Sequence, residues 1–251
     1  MEAQIVVSNE PGEKIVVEDA AAFKKMPKEY QDAITHLMLV HTEGELTGAD
    51  DYTQIFYPMA PDAYERFVCC ERAAEEMDHY MLGAGVLDEI GVDTRYMLEQ
   101  RINERKYYAN EMVRDVQAWM ERGMFSFLGE TVVLDHLFEF AEGSYKPFAR
   151  IFEKIIKDEH VHIAHGFRIV KNACKSEGGR AEAQKALDRF WPMALDLFGR
   201  SDSCRSKLYL KWGMRRTGNE ELRRAYIKRM RPRLEHLGLV VPDDDLNRKF
   251  V

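Results

Sequence analysis

The chain has 251 residues, of which 45% are hydrophobic and 31% are charged, and its formal net charge is −7. This composition is ordinary for a globular protein with a sizeable core, and the acidic balance argues against nucleic acid as the main partner. The four cysteines form no C-x-x-C pair, which argues against a disulfide framework or a structural zinc site. The sequence shows neither a signal-peptide pattern nor an apolar run of membrane-spanning length, so we expect a soluble, cytoplasmic protein with no membrane partner.

The coarse organisation is read from hydrophobic periodicity. Two β-branched runs, QIVV and KIVV, flank the turn sequence NEPGE and predict a small β-hairpin over residues 4–17. Helical patterns then predict long helices at about 28–48, 61–90, 124–141 and 145–174, with a further helical segment over about 94–123. The stretch KSEGGRAEAQ predicts a gap, and smaller helices are expected in RFWPMALDLFG and at about 207–216 and 219–237.

The stretch KDEHVH contains a motif with possible metal chemistry. Glu159 and His162 are three residues apart, so on a helix they lie on one face. The apolar stripe through them includes Phe152, Ile155 and Gly166, which places the acid and the imidazole on the core-facing side. A carboxylate buried there needs a partner or a metal ion, because an unpaired buried charge is costly.

The same Glu-x-x-His spacing recurs in ERAAEEMDHY, where Glu76 and His79 lie on a stripe with Ala73 and Gly83. One such motif is weak evidence, since most are surface pairs. Two of them on apolar stripes indicate half of a two-metal site, which also needs one acid from each of two other helices.

Lone acids occur on the apolar stripes of the other two long helices. Glu130 lies between Phe127 and Leu134 on one of them. The first long helix has two candidates, Glu43 and Glu45, which point in nearly opposite directions around a helix, so only one can face the core. The four-three rhythm of the apolar positions favours Glu45, and Glu43 remains the alternative.

The complete set has the sequence order E, ExxH, E, ExxH, which is the pattern of ferritin-like di-iron carboxylate proteins. It predicts one group of metal-binding and catalytic residues: Glu45, Glu76, His79, Glu130, Glu159 and His162. The expected cofactor is a pair of iron ions, with manganese as a variant, because these ligands do not distinguish the two metals. A helical protein with buried polar networks and no metal is the competing interpretation.

The expected fold is therefore all-α: a ferritin-like four-helix di-iron bundle with extra C-terminal helices and a small N-terminal β-hairpin. We expect one domain, with an N-terminal extension over residues 1–25, the metal-binding bundle over 26–175, and C-terminal helices and a tail over 176–251.

Other polar residues near the motifs are candidates for supporting roles. His41 is one turn from Glu45, and His165 follows His162 by three residues, so either can lie just outside the ligands, whereas His160 is expected to point away. Asp78 and Asp158 each directly precede a predicted ligand. An acid can accept the distal N–H of a metal-bound imidazole, but the sequence does not tell which acid does so.

Basic residues cluster in KWGMRRTG and YIKRMRPR. Such runs are usually solvated helix faces, and an anionic ligand or partner surface is the alternative.

At these residues the chain resembles the phenylacetic acid catabolic proteins, the ferritin-like subunits of phenylacetyl-CoA epoxidase (monooxygenase), and among them the catalytic subunit. The resemblance covers roughly residues 30–246 and is carried by ELTG, EEMDH, GSYKPFARIFEKIIKDEHVHIAHGF, RFWPMALDLFG and WGMRRTGNEELRRAYIKRMRPRLEHLGLVVPDDDL. The catalytic subunits commonly have Asp where this chain has Glu130, which leaves the substrate more open than the metal.

The resemblance implies a non-haem di-iron oxygenase that uses O2 and external electrons to epoxidise or hydroxylate a small organic molecule. The implied substrate is an aromatic acyl-CoA such as phenylacetyl-CoA. The implied partners are a reductase and either a related helical subunit or a second copy in a homodimer. Two other functions remain open at this point: a ferritin-like iron-binding protein, and a non-catalytic partner subunit of a monooxygenase complex.

Overall fold

The structure, a computed structural model, describes residues 15–106 and 116–250. The expected N-terminal hairpin is not shown. Residues 4–14 of it lie outside the described residues, and Val17 makes an isolated parallel bridge with Tyr145. The N–H of Val17 donates to the carbonyl of Ser144 (2.8 Å), and its carbonyl accepts from the N–H of Lys146 (2.9 Å). These two bonds attach the segment to the start of a long bundle helix.

Helices dominate the described residues, as predicted. In chain order they are α1 (Ala20–Lys25), α2 (Lys28–Asp51), α3 (Tyr57–Met59), α4 (Ala63–Glu89), α5 (Tyr96–Glu99), α6 (Trp119–Ala141), α7 (Lys146–Ala173), α8 (Glu177–Asp196), α9 (Cys204–Lys211) and α10 (Asn219–His236). A π-helical turn (Tyr52–Phe56) continues α2, and a short 3₁₀ turn (Ile102–Glu104) follows α5. The four long helices α2, α4, α6 and α7 form the bundle, in which α6 packs mainly on α7 and α2 mainly on α4.

Some helix boundaries differ from those predicted. The third bundle helix begins at Trp119 rather than at residue 124, because Gly123 is a packing position and not a break. A Cβ at Gly123 would lie 2.6 Å from Cγ2 of Ile169 on α7. In the segment 94–123, the described residues before α6 contain only α5 and the 3₁₀ turn.

The predicted gap KSEGGRAEAQ is largely helical. Its Ser176 caps α8, since its side-chain oxygen accepts a hydrogen bond from the N–H of Gly179 (3.1 Å). A Cβ at Gly179 would lie 2.4 Å from the carbonyl oxygen of Ala173, so this glycine allows the chain to turn tightly from α7 into α8. The glycines that indicated a loop are thus part of a helix start.

Two apolar clusters lie at either end of the bundle, and the polar motifs fall between them. On α7, Phe148 and Phe152 belong to the first cluster and Val170 to the second, with Glu159 and His162 in between. α4 shows the same sequence of apolar, polar and apolar layers along its length. On the chain of α2 the second cluster is reached in the π-helical turn, at Tyr52 and Phe56. The bundle therefore holds one polar layer near its middle.

α6 and α7 make backbone contact beside this polar layer. A Cβ on Gly166 would lie 2.6 Å from Cβ of Ser126 and 2.7 Å from the backbone nitrogen of Phe127. Only glycine permits this approach, which brings the turn carrying Glu130 next to the turn carrying His162.

No helix among residues 15–106 and 116–250 has the length and apolar character needed to cross a membrane.

Candidate metal centre

The six residues predicted as ligands converge in the polar layer, and all six are buried. They form two overlapping sets whose ligand atoms lie within 4.8 Å of one another: the first contains Glu45, Glu76, His79 and Glu159, and the second contains Glu130, Glu159 and His162. Glu159 belongs to both sets, so its carboxylate is close to the ligand atoms of each.

Glu45, rather than Glu43, faces this centre. Glu45 Oε2 lies 3.1 Å from Nδ1 of His79, and Glu45 Oε1 lies 3.1 Å from Nδ1 of His41. Glu43 is equally buried but points elsewhere, where its carboxylate accepts a hydrogen bond from the backbone N–H of Lys106 (3.0 Å). The structure thus separates the two candidates that the sequence left open.

The two imidazoles are oriented in the same way. Each directs Nδ1 into the cluster: His79 Nδ1 lies against Glu45, and His162 Nδ1 lies 3.3 Å from Glu76 Oε1 and 3.6 Å from Glu159 Oε1. Each directs Nε2 outward to a carboxylate at hydrogen-bond distance, which fixes the ring and leaves Nδ1 as the atom that can bind a cation.

The outward carboxylates come from the opposite helix. His79 Nε2 on α4 lies 3.0 Å from Asp158 Oδ2 on α7, and His162 Nε2 on α7 lies 2.8 Å from Glu75 Oε2 on α4. Of the two aspartates considered from sequence, Asp158 therefore contacts an imidazole, while Asp78 pairs with Lys154 (2.7 Å). Sequence reasoning missed Glu75, although it holds the same place before its Glu-x-x-His motif as Asp158 holds before the other.

A second network, also missed from sequence, supports Glu130. Its Oε1 accepts hydrogen bonds from Ser126 Oγ (2.9 Å) and from Tyr52 OH (3.2 Å). The fully buried Arg122 in turn donates to Tyr52 OH (3.1 Å) and contacts Nδ1 of His165 (3.1 Å). The spacing of residues on an α-helix does not connect these positions, because Tyr52 lies on the π-helical turn and Arg122 lies in the first turn of α6, before the predicted helix start.

The other histidines have distinct environments. His41 contacts Glu45 as anticipated, and its pKa is lowered to about 3 by burial and by the nearby His79. His165 bonds Arg122 and Glu65 rather than a predicted ligand, and His160 is exposed. Only His41 among these three therefore contacts the six-residue cluster directly.

The cluster concentrates negative charge in a buried space. Burial raises the pKa of Glu45 to about 7, against the effect of its hydrogen bond with His79. Burial also raises the pKa of Glu159 well above its usual value, and the charges of Glu76 and Glu130 add to this effect. Four buried carboxylates are stable together only when cations, either protons or metal ions, offset their charge.

The donor set fits a pair of metal ions. Glu130 Oε2 is buried and has no hydrogen-bond partner, and His162 Nδ1 lies near two carboxylates without forming a hydrogen bond to either. Both residues belong to the second ligand set. A buried polar atom without a partner is costly, and a metal ion would remove that cost. Carboxylate oxygens combined with imidazole nitrogens suit iron and manganese.

Gly48, the glycine of the Glu-x-x-Gly sequence on α2, leaves space for the side chain of the predicted metal ligand Glu76. A Cβ on Gly48 would lie 2.8 Å from Oε2 of Glu76 on α4. An alanine would therefore collide with this carboxylate in its present position. The glycine one turn after Glu45 gives Glu76 room to reach the centre.

A cavity of about 560 Å³ opens onto the cluster. Four of the predicted ligands line it: Glu45, Glu76, Glu130 and Glu159. Beyond them its middle part is lined by apolar side chains that include Leu37, Val133, Leu137 and Phe140, and the cavity continues to α9 and the start of α10. A molecule larger than O2 therefore has space next to the carboxylates.

Three comparisons relate the chain to known proteins. The model of a family described as "Phenylacetic acid catabolic protein" matches residues 10–249. The chain is 27% identical over 229 residues to one of the subunits of 1,2-phenylacetyl-CoA epoxidase of Escherichia coli (strain K12), and the match covers 88% of this chain and 72% of that protein. Among solved structures, a mutant of an R2-like ligand-binding oxidase with an aerobically reconstituted Mn/Fe cofactor superposes with a TM-score of 0.63 and 14% identity. That match covers 87% of this chain and 85% of the other.

Proposed function

The chain belongs to the phenylacetic acid catabolic protein family, and from this premise we propose that it is a non-haem di-iron oxygenase, an oxidoreductase that inserts oxygen into an organic substrate. The observation that carries the proposal is the convergence of four buried carboxylates and two buried imidazoles at the end of a cavity. The whole chain would act as one domain, with the bundle binding the metal and the C-terminal helices closing the far part of the cavity.

From the two ligand sets we infer which residues would hold two ions. Glu45 and His79 would hold one ion, and Glu130 and His162 would hold the other. Glu159, which is common to both sets, and Glu76, which lies near both imidazoles, would supply the remaining carboxylates. This donor set leaves iron and manganese as alternatives, and we propose iron because the family resemblance implies a di-iron oxygenase.

When bound, the metal pair supplies the redox chemistry that activates O2. The protein's own residues do the rest: Asp158 and Glu75 hold the imidazoles in orientation, and Tyr52 and Ser126 hold one oxygen of Glu130. The apolar wall of the cavity excludes water beside the carboxylates. For epoxidation or hydroxylation, one oxygen atom enters the substrate, and the other leaves as water after the uptake of two electrons and two protons.

The electrons require a donor outside this chain, so we propose a reductase partner. A related helical subunit or a second copy of the chain completes the assembly, by analogy with the relative that is named as one subunit of an epoxidase. The proposed substrate is an aromatic acyl-CoA such as phenylacetyl-CoA, which that relative's name supplies. The complete ligand set favours a catalytic chain over a partner subunit without metal, and the cavity beside the metal ligands favours an enzyme over an iron store.

The test combines iron loading with product analysis. The full chain is loaded with ferrous iron without oxygen and then given isotopically labelled O2, a chemical or enzymatic electron donor, and phenylacetyl-CoA. The proposal predicts a product that contains one labelled oxygen atom and is absent with His162→Gln. The matched control is His160→Gln, which alters an exposed histidine on the same helix and should leave the product unchanged.

The outcomes separate the competing functions. Oxidation of iron without labelled product from a panel of acyl-CoA and free-acid substrates would favour iron binding. Failure to hold iron would favour the partner-subunit function.

A further inference from the structure

The end of the cavity far from the carboxylate cluster is polar and basic. Its wall there is made by the first turn of α9 and the loop between α9 and α10, through Ser203, Arg205, Ser206, Arg215 and Asn219. The sequence KWGMRRTG, one of the two basic runs, supplies Arg215. The cavity thus has an acidic end, an apolar middle and a basic end.

Arg215 is a buried cation whose hydrogen-bond partners are neutral. The residue is 5% exposed, and one terminal nitrogen donates to Ser206 Oγ (2.8 Å) and to Asn219 Oδ1 (2.5 Å). Its other terminal nitrogen lies 3.4 Å from Nδ1 of His136, whose pKa is lowered to about 3 by burial and by the charge of Arg215. His136 is therefore uncharged at neutral pH and does not offset the guanidinium.

Arg205 adds a second positive charge at the exposed rim. The charge of Arg205 also acts on His36, a residue of α2 that lines this end of the cavity. The pKa of His36 is lowered first by burial and then by this charge. Within residues 15–106 and 116–250, neither Arg205 nor Arg215 forms an ion pair with a carboxylate, although the charge of Glu139 acts on Arg215 and opposes the lowering of its pKa by burial. A buried guanidinium that faces a cavity can donate its remaining N–H groups to an anion, and Nε of Arg215 is buried without a hydrogen-bond partner.

The distance between the two ends sets the size of the ligand. His36 and Glu45 both line the cavity on α2, nine residues apart, which corresponds to about 13 Å along a helix. Apolar side chains such as Leu37 and Val40 lie between them. A ligand that spans the cavity would need an apolar part near the carboxylates and a negative group roughly one such length away.

We propose that Arg205 and Arg215 bind the anionic group, a carboxylate or a phosphate, of a substrate whose apolar part extends to the carboxylate cluster. The inference names the substrate class of the proposed oxygenase and so rests on that function. The two sources of the negative group are a free carboxylic acid and the phosphates of a coenzyme A ester.

Binding measurements with two matched ligand pairs test the inference on the full chain, without an electron donor, so that no turnover occurs. Decanoate and decanamide differ in the carboxylate, and phenylacetyl-4′-phosphopantetheine and phenylacetylpantetheine differ in one phosphate. Dissociation constants from calorimetry give the preference for the charged member of each pair. We expect a preference of about tenfold or more in at least one pair, and the pair that shows it identifies the source.

Two variants and one control locate the effect. Arg205→Gln, at the exposed rim, and Arg215→Gln should each reduce the preference at least about fivefold, whereas Arg216→Gln should not, because Arg216 does not line the cavity. Arg205 makes no structural contact comparable to those of Arg215, so its variant keeps the test valid if Arg215→Gln fails to fold.

Similar affinities within both pairs, or a full preference in Arg205→Gln, would overturn the inference. Neither result depends on metal loading or oxygen activation, so a failure here is distinguishable from a failure of the proposed function.

Discussion

Oδ2 of Asp158 on α7 lies 3.0 Å from Nε2 of His79 on α4, and the reciprocal contact joins Glu75 on α4 to His162 on α7. Each acid directly precedes the glutamate of its own Glu-x-x-His motif and reaches the histidine of the opposite motif. The two helices that carry the motifs are therefore tied together on both sides of the centre, and each imidazole has its inner nitrogen directed at the carboxylates.

The contact between Asp158 and His79 predicts that a change at Asp158 lowers the affinity for metal while a change at Asp78 does not. Asp158→Asn should weaken iron binding about 10–100-fold, because the amide is a poorer acceptor for the imidazole N–H that orients the ligand. Competition with a chelator of known affinity measures the effect. Asp78→Asn is the matched control, since Asp78 pairs with Lys154 as Asp158 does, but only Asp158 also contacts His79. Equal affinities for the two variants would show that Asp158 does not support the metal.

Gly48→Ala should uncouple metal binding from stability. The new Cβ would occupy space 2.8 Å from Glu76 Oε2, so the carboxylate must move and iron affinity should fall. The fold should be retained or stabilised by about 0.5–1 kcal/mol, because alanine is favoured over glycine inside a helix. The control is Gly85→Ala on α4, where an added Cβ meets nothing within 4 Å. The account would be contradicted if both alanine variants bound iron like the wild-type protein.

Glu139 should make the free energy of unfolding depend on pH. Burial would raise the pKa of this carboxylate, but hydrogen bonds from the backbone N–H groups of Arg216 and Thr217 and from the Thr217 hydroxyl outweigh it, so the pKa is lowered. A carboxylate whose pKa is lower in the folded state stabilises the protein at pH values above its unfolded-state pKa. This stabilisation is lost as the pH falls through the folded-state pKa.

The corresponding variant is Glu139→Gln, compared with wild-type protein by urea unfolding at several pH values. At pH 7 the variant should be less stable by about 1–2 kcal/mol, and the difference should shrink at pH values below about 4. Glu153→Gln, an exposed position on α7, should show no such trend. A difference that stays constant from neutral to acidic pH would contradict the assigned role.

The six predicted ligands could be found from sequence because a helix converts spacing into direction. Glu76 and His79 share a face by their separation alone, and the apolar residues around them show that this face is inward. Glu45 was harder to assign, since Glu43 is also buried. What separates the two is the placement of Lys106, whose N–H bonds Glu43 from a segment far along the chain.

The supporting residues depend on how helices meet, which spacing on one helix does not encode. Glu75 contacts His162 only because α4 and α7 pack together, and Tyr52 reaches Glu130 only through a π-helical turn. The glycines of KSEGGRAEAQ indicated a gap because spacing alone does not show a tight turn. In the structure Gly179 allows the start of α8 to lie against the end of α7, at the carbonyl of Ala173.

Metal content shows whether the buried cluster binds a pair of iron ions. The full chain is loaded with ferrous iron without oxygen, freed of unbound metal and analysed for iron per chain, alongside Glu159→Ala and the exposed control Glu153→Ala. Glu159 belongs to both ligand sets, so its loss should affect both ions. The account predicts about two irons per chain for the wild-type and control proteins and about one or none for Glu159→Ala. Wild-type protein that retains no iron, or Glu159→Ala that retains as much as the wild type, would contradict it.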